Sequence, residues 1–222
     1  MMAAPALAAD VEVSSATQME QVDLVDVAAL IPDARFDIRY AGTHNFVGTP
    51  VDGYQAAKCY LLRPVALALQ QVAADLRARG YRLRVYDCYR PVRAVKHFVR
   101  WAHDLSDQRT KPEFYPNLDK SRLLDGYIAE TSGHSRGATV DLGLEQCTAN
   151  DCEVLDMGTE FDRFDTLANT DDPRITGPQR AHRMVLREAM ERRGFRNYPL
   201  EWWHYILQPE PTPETAYDIP VR

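Results

Sequence analysis

Two short segments decide what this chain can fold into. Ser132-Gly133-His134-Ser135-Arg136-Gly137-Ala138-Thr139-Val140-Asp141 carries an imidazole and, seven residues later, a carboxylate; Glu201-Trp202-Trp203-His204 carries a carboxylate and, three residues later, a second imidazole. Such groups are costly to bury among apolar neighbours unless they share a partner. The fold must therefore draw together segments about 60 positions apart. His134, Asp141 and His204 make up the donor set of a catalytic zinc, which takes three nitrogen or oxygen ligands and keeps a fourth position for water. Two neutral imidazoles and one carboxylate leave the ion a net positive charge and hence its Lewis acidity. Glu201 remains free to act as general base, taking a proton from water and passing it to a departing amine.

Local patterning agrees with this grouping. Ala138 to Leu144 alternates with period two, as a half-buried strand does, with Ala138, Val140, Leu142 and Leu144 toward the core and Thr139 and Asp141 on the opposite face. Ser135-Arg136-Gly137 reads as the turn that folds His134 back beside Asp141. Trp202 to Leu207 is aromatic and β-branched and favours strand. Residues three apart on a regular strand point to opposite faces, so Glu201 must sit at an irregular start, just after Pro199, to share a pocket with His204.

Ser-x-His-x-x-Gly-x-x-x-Asp followed by Glu-x-x-His resembles the zinc D-Ala-D-Ala dipeptidases of the VanX type, within a wider family that includes D,D-carboxypeptidases and the Hedgehog-like zinc fold. Further stretches match in order: Tyr40-Ala41 with Asn45-Phe46 and Pro50-Val51-Asp52-Gly53-Tyr54; Asp87-Cys88-Tyr89-Arg90-Pro91; Met157-Gly158 with Phe161-Asp162; and Leu200 to Tyr205. The resemblance covers roughly residues 24 to 222. It implies one Zn2+ per chain, hydrolysis of a small D,D-dipeptide, and Arg90 as the cation that stabilises the negative oxygen of the tetrahedral intermediate. It assigns recognition of the free ammonium end to Asp162, with Ser132 and Tyr40 nearby, and makes the loop from Gly42 to Gly53 a wall of the pocket. Two rivals follow from the same resemblance, a murein D,D-carboxypeptidase and a non-catalytic zinc binding module. Asp162 and Glu-Trp-Trp-His oppose the first; Glu201 and Arg90 together oppose the second, because binding alone requires neither. A serine hydrolase is disfavoured, since Gly-x-Ser-x-Gly is absent.

The expected fold is α+β, a central, mostly antiparallel sheet with flanking helices, Hedgehog/D,D-peptidase-like. Three helices are expected, opened by Pro64, by Pro91 and near Gln179, with Gly80 and Gly194 stopping the first and third. In the third, Ala181, Val185, Leu186 and Ala189 are expected inward, and Arg183, Arg187, Arg192 and Arg193 read as a solvated face. Residues 106–120, with Pro112 and Pro116, read as loop, and the proline-rich stretch after Gln208 as an extended tail that packs on the surface or not at all. Residues 1–20 are expected to be an N-terminal tail, in which Met2 to Asp10 resembles the end of a secretory signal. Residues 21–222 are expected to form a single domain, as suits 222 residues of 45% hydrophobic content.

A net charge of −6 argues against nucleic-acid binding, which needs clustered Lys and Arg. No apolar run approaches a membrane span, and the sequence leaves room for a homo-oligomer. Four cysteines allow two disulfides. Cys147 and Cys152 flank a turn-forming run, and Cys59 and Cys88 lie either side of the first long helix. The expected pairs are thus Cys59–Cys88 and Cys147–Cys152, which point to a periplasmic or secreted protein, with a cytoplasmic one as the alternative.

Overall fold

The computed structural model describes residues 11–149 and 151–222. Its strands are β1 (Glu12–Val13), β2 (Leu24–Asp26), β3 (Arg35–Phe36), β4 (Tyr60–Leu62), β5 (Tyr81–Asp87), β6 (Thr139–Cys147), β7 (Cys152–Val154), β8 (Phe195–Asn197), β9 (His204–Leu207) and β10 (Thr215–Ala216). Its α-helices are α1 (Arg63–Arg77), α2 (Val92–His103), α3 (Lys111–Phe114) and α4 (Gly177–Arg192). The main sheet runs β3-β5-β6-β9-β8, with β7 on the far end of β6, and only the β3–β5 pairing is parallel. This is the expected α+β architecture with a mostly antiparallel sheet.

The sheet is built around β6, whose residues Thr139 to Glu145 are all buried. An antiparallel strand buried on both faces needs cover on each. α1 packs on β5 and α4 on β8 and β6, and the two helices also touch each other. α1 carries Pro in its first turn and buries Val65, Ala66, Leu69, Val72, Ala73 and Leu76, residues at the 3- and 4-residue spacing of one helix face. Gly80, at φ 80, ends that segment in the left-handed region. α4 begins with a capping box between Thr176 and Gln179.

Strand register is what makes the site. Asp141 of β6 lies opposite His204 of β9 on one side and opposite Asp87 of β5 on the other. An irregularity between Val85 and Asp87 shifts the β5–β6 register just before this point. Bulges of this kind re-aim a side chain at the end of a ladder.

Several expectations need correction. A single helical turn, α3, forms inside the expected loop 106–120, so there are four α-helices among the described residues. The buried face of α4 is Arg183, Leu186, Ala189 and Met190, while Ala181 is exposed. Arg183 is therefore not part of a solvated face. The stretch after Gln208 is no loose tail: Ala216, Tyr217, Ile219 and Val221 are buried, β10 pairs in parallel with β1, and Val221 bridges to Tyr54. β1 and the 3-10 turn Met19–Val22 also give structure to residues within the expected tail. The signal-like stretch from Met2 to Asp10 lies outside the described residues. Both disulfides pair as expected. No helix among the described residues is long and apolar enough to cross a membrane.

Candidate metal centre and active site

His134 sits in a 3-10 turn, Gly133–Arg136, whose preceding residue Ser132 accepts a hydrogen bond from the His134 N–H at 3.3 Å. Gly137, at φ 71, closes the turn, and its carbonyl accepts from Leu62 N at 3.0 Å. The imidazole is oriented from behind: Nδ1 lies 2.7 Å from the carbonyl oxygen of Cys88. A carbonyl only accepts, so Nδ1 carries the proton and Nε2 presents its lone pair to the site.

That lone pair meets two others. His134 Nε2 is 3.2 Å from Asp141 Oδ2 and 3.3 Å from His204 Nδ1, and His204 Nδ1 is 3.0 Å from Asp141 Oδ1. Asp141 Oδ1 is fully buried, yet no neighbour makes a hydrogen bond to it. One ligand atom from each of the three residues falls within 4.8 Å of the others. Converging donors around an unsatisfied buried oxygen are what a tetrahedral metal ion requires and what a protein alone avoids. The trio fits a divalent cation. Burial pushes the Asp141 carboxyl upward, but the two imidazoles overcome it and hold it well below the usual carboxylate range.

Glu201 precedes the Trp202-Trp203 turn, after which β9 starts at His204. The strand thus begins two residues later than Trp202, and this irregular start places Glu201 Oε2 3.5 Å from His204 Nδ1. Burial, with Asp141 adding to it, raises the Glu201 carboxyl to about 7. A cation at the trio would draw it back down. Asn197 clamps this turn by donating to the carbonyls of both Glu201 and His204, each at 3.1 Å.

Arg90 follows β5 and donates from Nε to Asp87 Oδ2 at 2.9 Å; its Nη2 lies 3.6 Å from Asp141 Oδ2. The guanidinium lies over the rings of Tyr40 at 5.3 Å and Phe98 at 5.1 Å. Burial alone would lower its pKa, but Asp87 beside it keeps the group charged at any physiological pH. Asp87 is itself held by Tyr54, whose hydroxyl donates at 2.6 Å.

Across the pocket, the Tyr40 hydroxyl sits 3.0 and 2.9 Å from the two oxygens of Asp162, a residue at φ 63 in the left-handed region. Non-glycine residues adopt that conformation at a cost, and such positions gather at ligand sites. Burial, and then Asp141, raises the Asp162 carboxyl well above its ordinary value. Arg183 pegs the loop that carries Asp162, donating to the carbonyls of Met157, Leu167 and Asn169 at 2.7, 3.0 and 2.6 Å.

A cavity of about 250 Å³ joins the two sides. Tyr40, Arg90, Ser132, His134, Asp141, Asp162, Glu201 and His204 all line it, along with the apolar Phe46, Val95, Phe98, Ile128, Phe164 and Trp203. All eight residues singled out from the sequence therefore meet in one place, and Phe46 brings in the loop from Gly42 to Gly53. The sequence profile of the Peptidase_M15 D-Ala-D-Ala dipeptidase family matches residues 20–222.

The chain belongs to that family.

Three curated D-alanyl-D-alanine dipeptidases are among its relatives. That of Streptomyces coelicolor is 41% identical over 90% of this chain and 98% of its own length. Those of Enterococcus faecalis and Enterococcus faecium are 39% and 38% identical, over 86% and 87% of this chain and 95% of each of theirs. In this family member Asp87 lies within a matched stretch that by itself assigns it no task, and its position three residues before Arg90 is the signal that points to one. Asn197 and Arg183 had none: their partners are backbone carbonyls that no spacing rule points to.

Proposed function

We propose that this protein is a zinc peptidase that hydrolyses D-Ala-D-Ala to two free D-alanines, holding one Zn2+ per chain through His134, Asp141 and His204. The observation that carries the reading is that one cavity holds the trio and Glu201 at one side and the Tyr40–Asp162 pair at the other. A zinc ion so held supplies Lewis-acid chemistry, polarising a carbonyl and easing deprotonation of water.

The chain's own residues do the rest. Asp162, braced by the Tyr40 hydroxyl, offers an acceptor for the substrate's ammonium, and the arriving cation stabilises its ionised form. Arg90, with Nε engaged by Asp87, keeps its charge close to Asp141 and so close to where the negative oxygen of the tetrahedral intermediate develops. Glu201, whose carboxylate stands 3.5 Å from His204 at the edge of the trio, takes the proton from the attacking water and delivers it to the leaving amine. The aromatic and aliphatic lining excludes bulk water, which strengthens each of these interactions.

A cavity of about 250 Å³ lies below the usual range for drug-sized ligands and suits a dipeptide better than a longer muropeptide. This favours a dipeptidase over a D,D-carboxypeptidase. Two disulfides favour an oxidising compartment, periplasmic or extracellular. Residues 21–222 act in this reading as one catalytic domain.

The test is to strip the protein with a chelator and add metal back. Recovery of D-alanine release in step with one zinc bound per chain is expected. Full activity in the stripped protein would overturn the metal role.

A further inference from the structure

Outside the catalytic groups, one feature touches the site from below. The turn Asp87-Cys88-Tyr89-Arg90 joins β5 to the proline that opens α2, and it serves three parts of the centre at once. Cys88 supplies the carbonyl that accepts from His134 Nδ1 at 2.7 Å. Arg90 donates its backbone N–H to the His134 carbonyl at 3.3 Å, and Asp87 holds the Arg90 side chain. The turn is tied to the segment before α1 by the Cys59–Cys88 disulfide, by a backbone bond from Tyr89 N to Tyr60 O at 2.9 Å and by the Tyr54 hydroxyl on Asp87. Cys59 is anchored in turn, its carbonyl accepting from Val27 N at 2.9 Å. Both half-cystines are 1% exposed.

We propose that the Cys59–Cys88 disulfide is a positioning element of the metal centre: it fixes the Cys88 carbonyl and through it the tautomer and ring orientation of His134, and it sets the turn that carries Arg90. The inference rests on the reading of His134 as a zinc ligand given above. A hydrogen-bonded carbonyl behind a ligating imidazole settles which ring nitrogen faces the metal and how basic it is, and losing such a partner lowers metal affinity by about 10- to 100-fold. Without the cross-link, the turn would keep the bond from Tyr89 N to Tyr60 O, the Tyr54–Asp87 bond and the bonds of the Tyr89 hydroxyl to Ile219, but no covalent tie at Cys88, whose carbonyl orients His134. The Cys147–Cys152 disulfide is a built-in control. It closes the β6–β7 hairpin six residues beyond Asp141, and its contact outside the hairpin is a bond from Cys147 N to Gly80 O. Its loss should leave the metal centre alone.

The experiment compares the full-length wild type with Cys59→Ala/Cys88→Ala and Cys147→Ala/Cys152→Ala. Zinc affinity is measured by competition with a chromogenic chelator, and folding by circular dichroism at the same temperature. Cys59→Val/Cys88→Ala refills the volume of the lost sulfurs and provides a folded protein should the first variant be too unstable. The expected result for either Cys59/Cys88 variant, in folded protein, is a zinc dissociation constant raised about 10- to 100-fold. With zinc saturating, kcat should fall more than KM rises, and in the metal-free protein the His134 ring nitrogens should show mixed tautomers by nitrogen-15 correlation. The Cys147/Cys152 variant should match the wild type in all three. Folded Cys59/Cys88 variants with wild-type zinc affinity and a single tautomer would overturn the proposal. A wild type that binds no zinc would instead overturn the metal reading on which it rests.

Discussion

The two sides of the cavity are made differently. On one, Asp141 and His204 face each other through strand register, Arg90 and Glu201 lie three residues beyond the end of β5 and before the start of β9, and His134 is set beside them by the short turn before β6 and the Cys88 carbonyl. On the other, Tyr40 and Asp162 come from a 3-10 turn and from a loop held at a left-handed backbone conformation and pegged by the buried Arg183. The first side is a rigid frame for reaction chemistry. The second is a loop surface shaped for one end of a substrate. Chemistry on the sheet and recognition on the loops predict separable kinetic signatures, kcat from the first and KM from the second.

The sharpest division comes from Glu201→Ala, which should keep its zinc and lose roughly three orders of magnitude in kcat with KM little changed, the typical contribution of a general base. Metal analysis and steady-state rates on one preparation check this; a near-normal rate would remove Glu201 from the mechanism. Arg90→Lys should follow at about 100-fold in kcat, because a point charge does not replace a fork braced by Asp87. An effect on KM alone would move Arg90 to the recognition side.

Asp162→Asn tests the other wall. Removing a charged acceptor for an ammonium is worth about 1.5–3 kcal/mol, so KM should rise on the order of tenfold or more while kcat holds. A pure kcat loss would break the comparison. Tyr40→Phe, which leaves the ring packing over Arg90 and deletes only the bond to Asp162, should give a several-fold rise in KM. The smallest effect is on metal uptake. Because the metal-free Glu201 carboxyl holds its proton up to about pH 7, that proton is present below pH 7 and absent above it. A cation at the trio competes with it, so zinc affinity should rise several-fold as the pH climbs from 6 toward 7 and level off above it. A flat titration between pH 6 and 8 would contradict the coupling.

What the sequence made legible follows the same line. Alternation marked β6, proline and glycine marked both ends of α1, and the turn-forming run between Cys147 and Cys152 announced their pairing, since each signal is local. The site residues were legible because they cluster in short motifs. Arg183 was misread because a basic residue on a helix is ordinarily solvated; burial here is tolerated because four backbone carbonyls converge on it, with the cost visible in a guanidinium lowered to about 10 by burial. The stretch after Gln208 was misread for a related reason. Prolines suggested a loose end, yet Tyr217 N donates to Ser135 O behind the metal turn, Arg93 pairs with Asp218, and Tyr89 donates to Ile219 O. Such partners are set by tertiary structure and leave no periodicity behind.

The most direct test of a dipeptide site with a metal at one end and an ammonium acceptor at the other is alanine release from D-Ala-D-Ala beside its N-acetylated form, using the zinc-loaded protein with Glu201→Ala as the blank. Release from the free dipeptide, with the acetylated one refused, is the predicted outcome. Preference for the acetylated substrate would contradict the account and make the enzyme a carboxypeptidase.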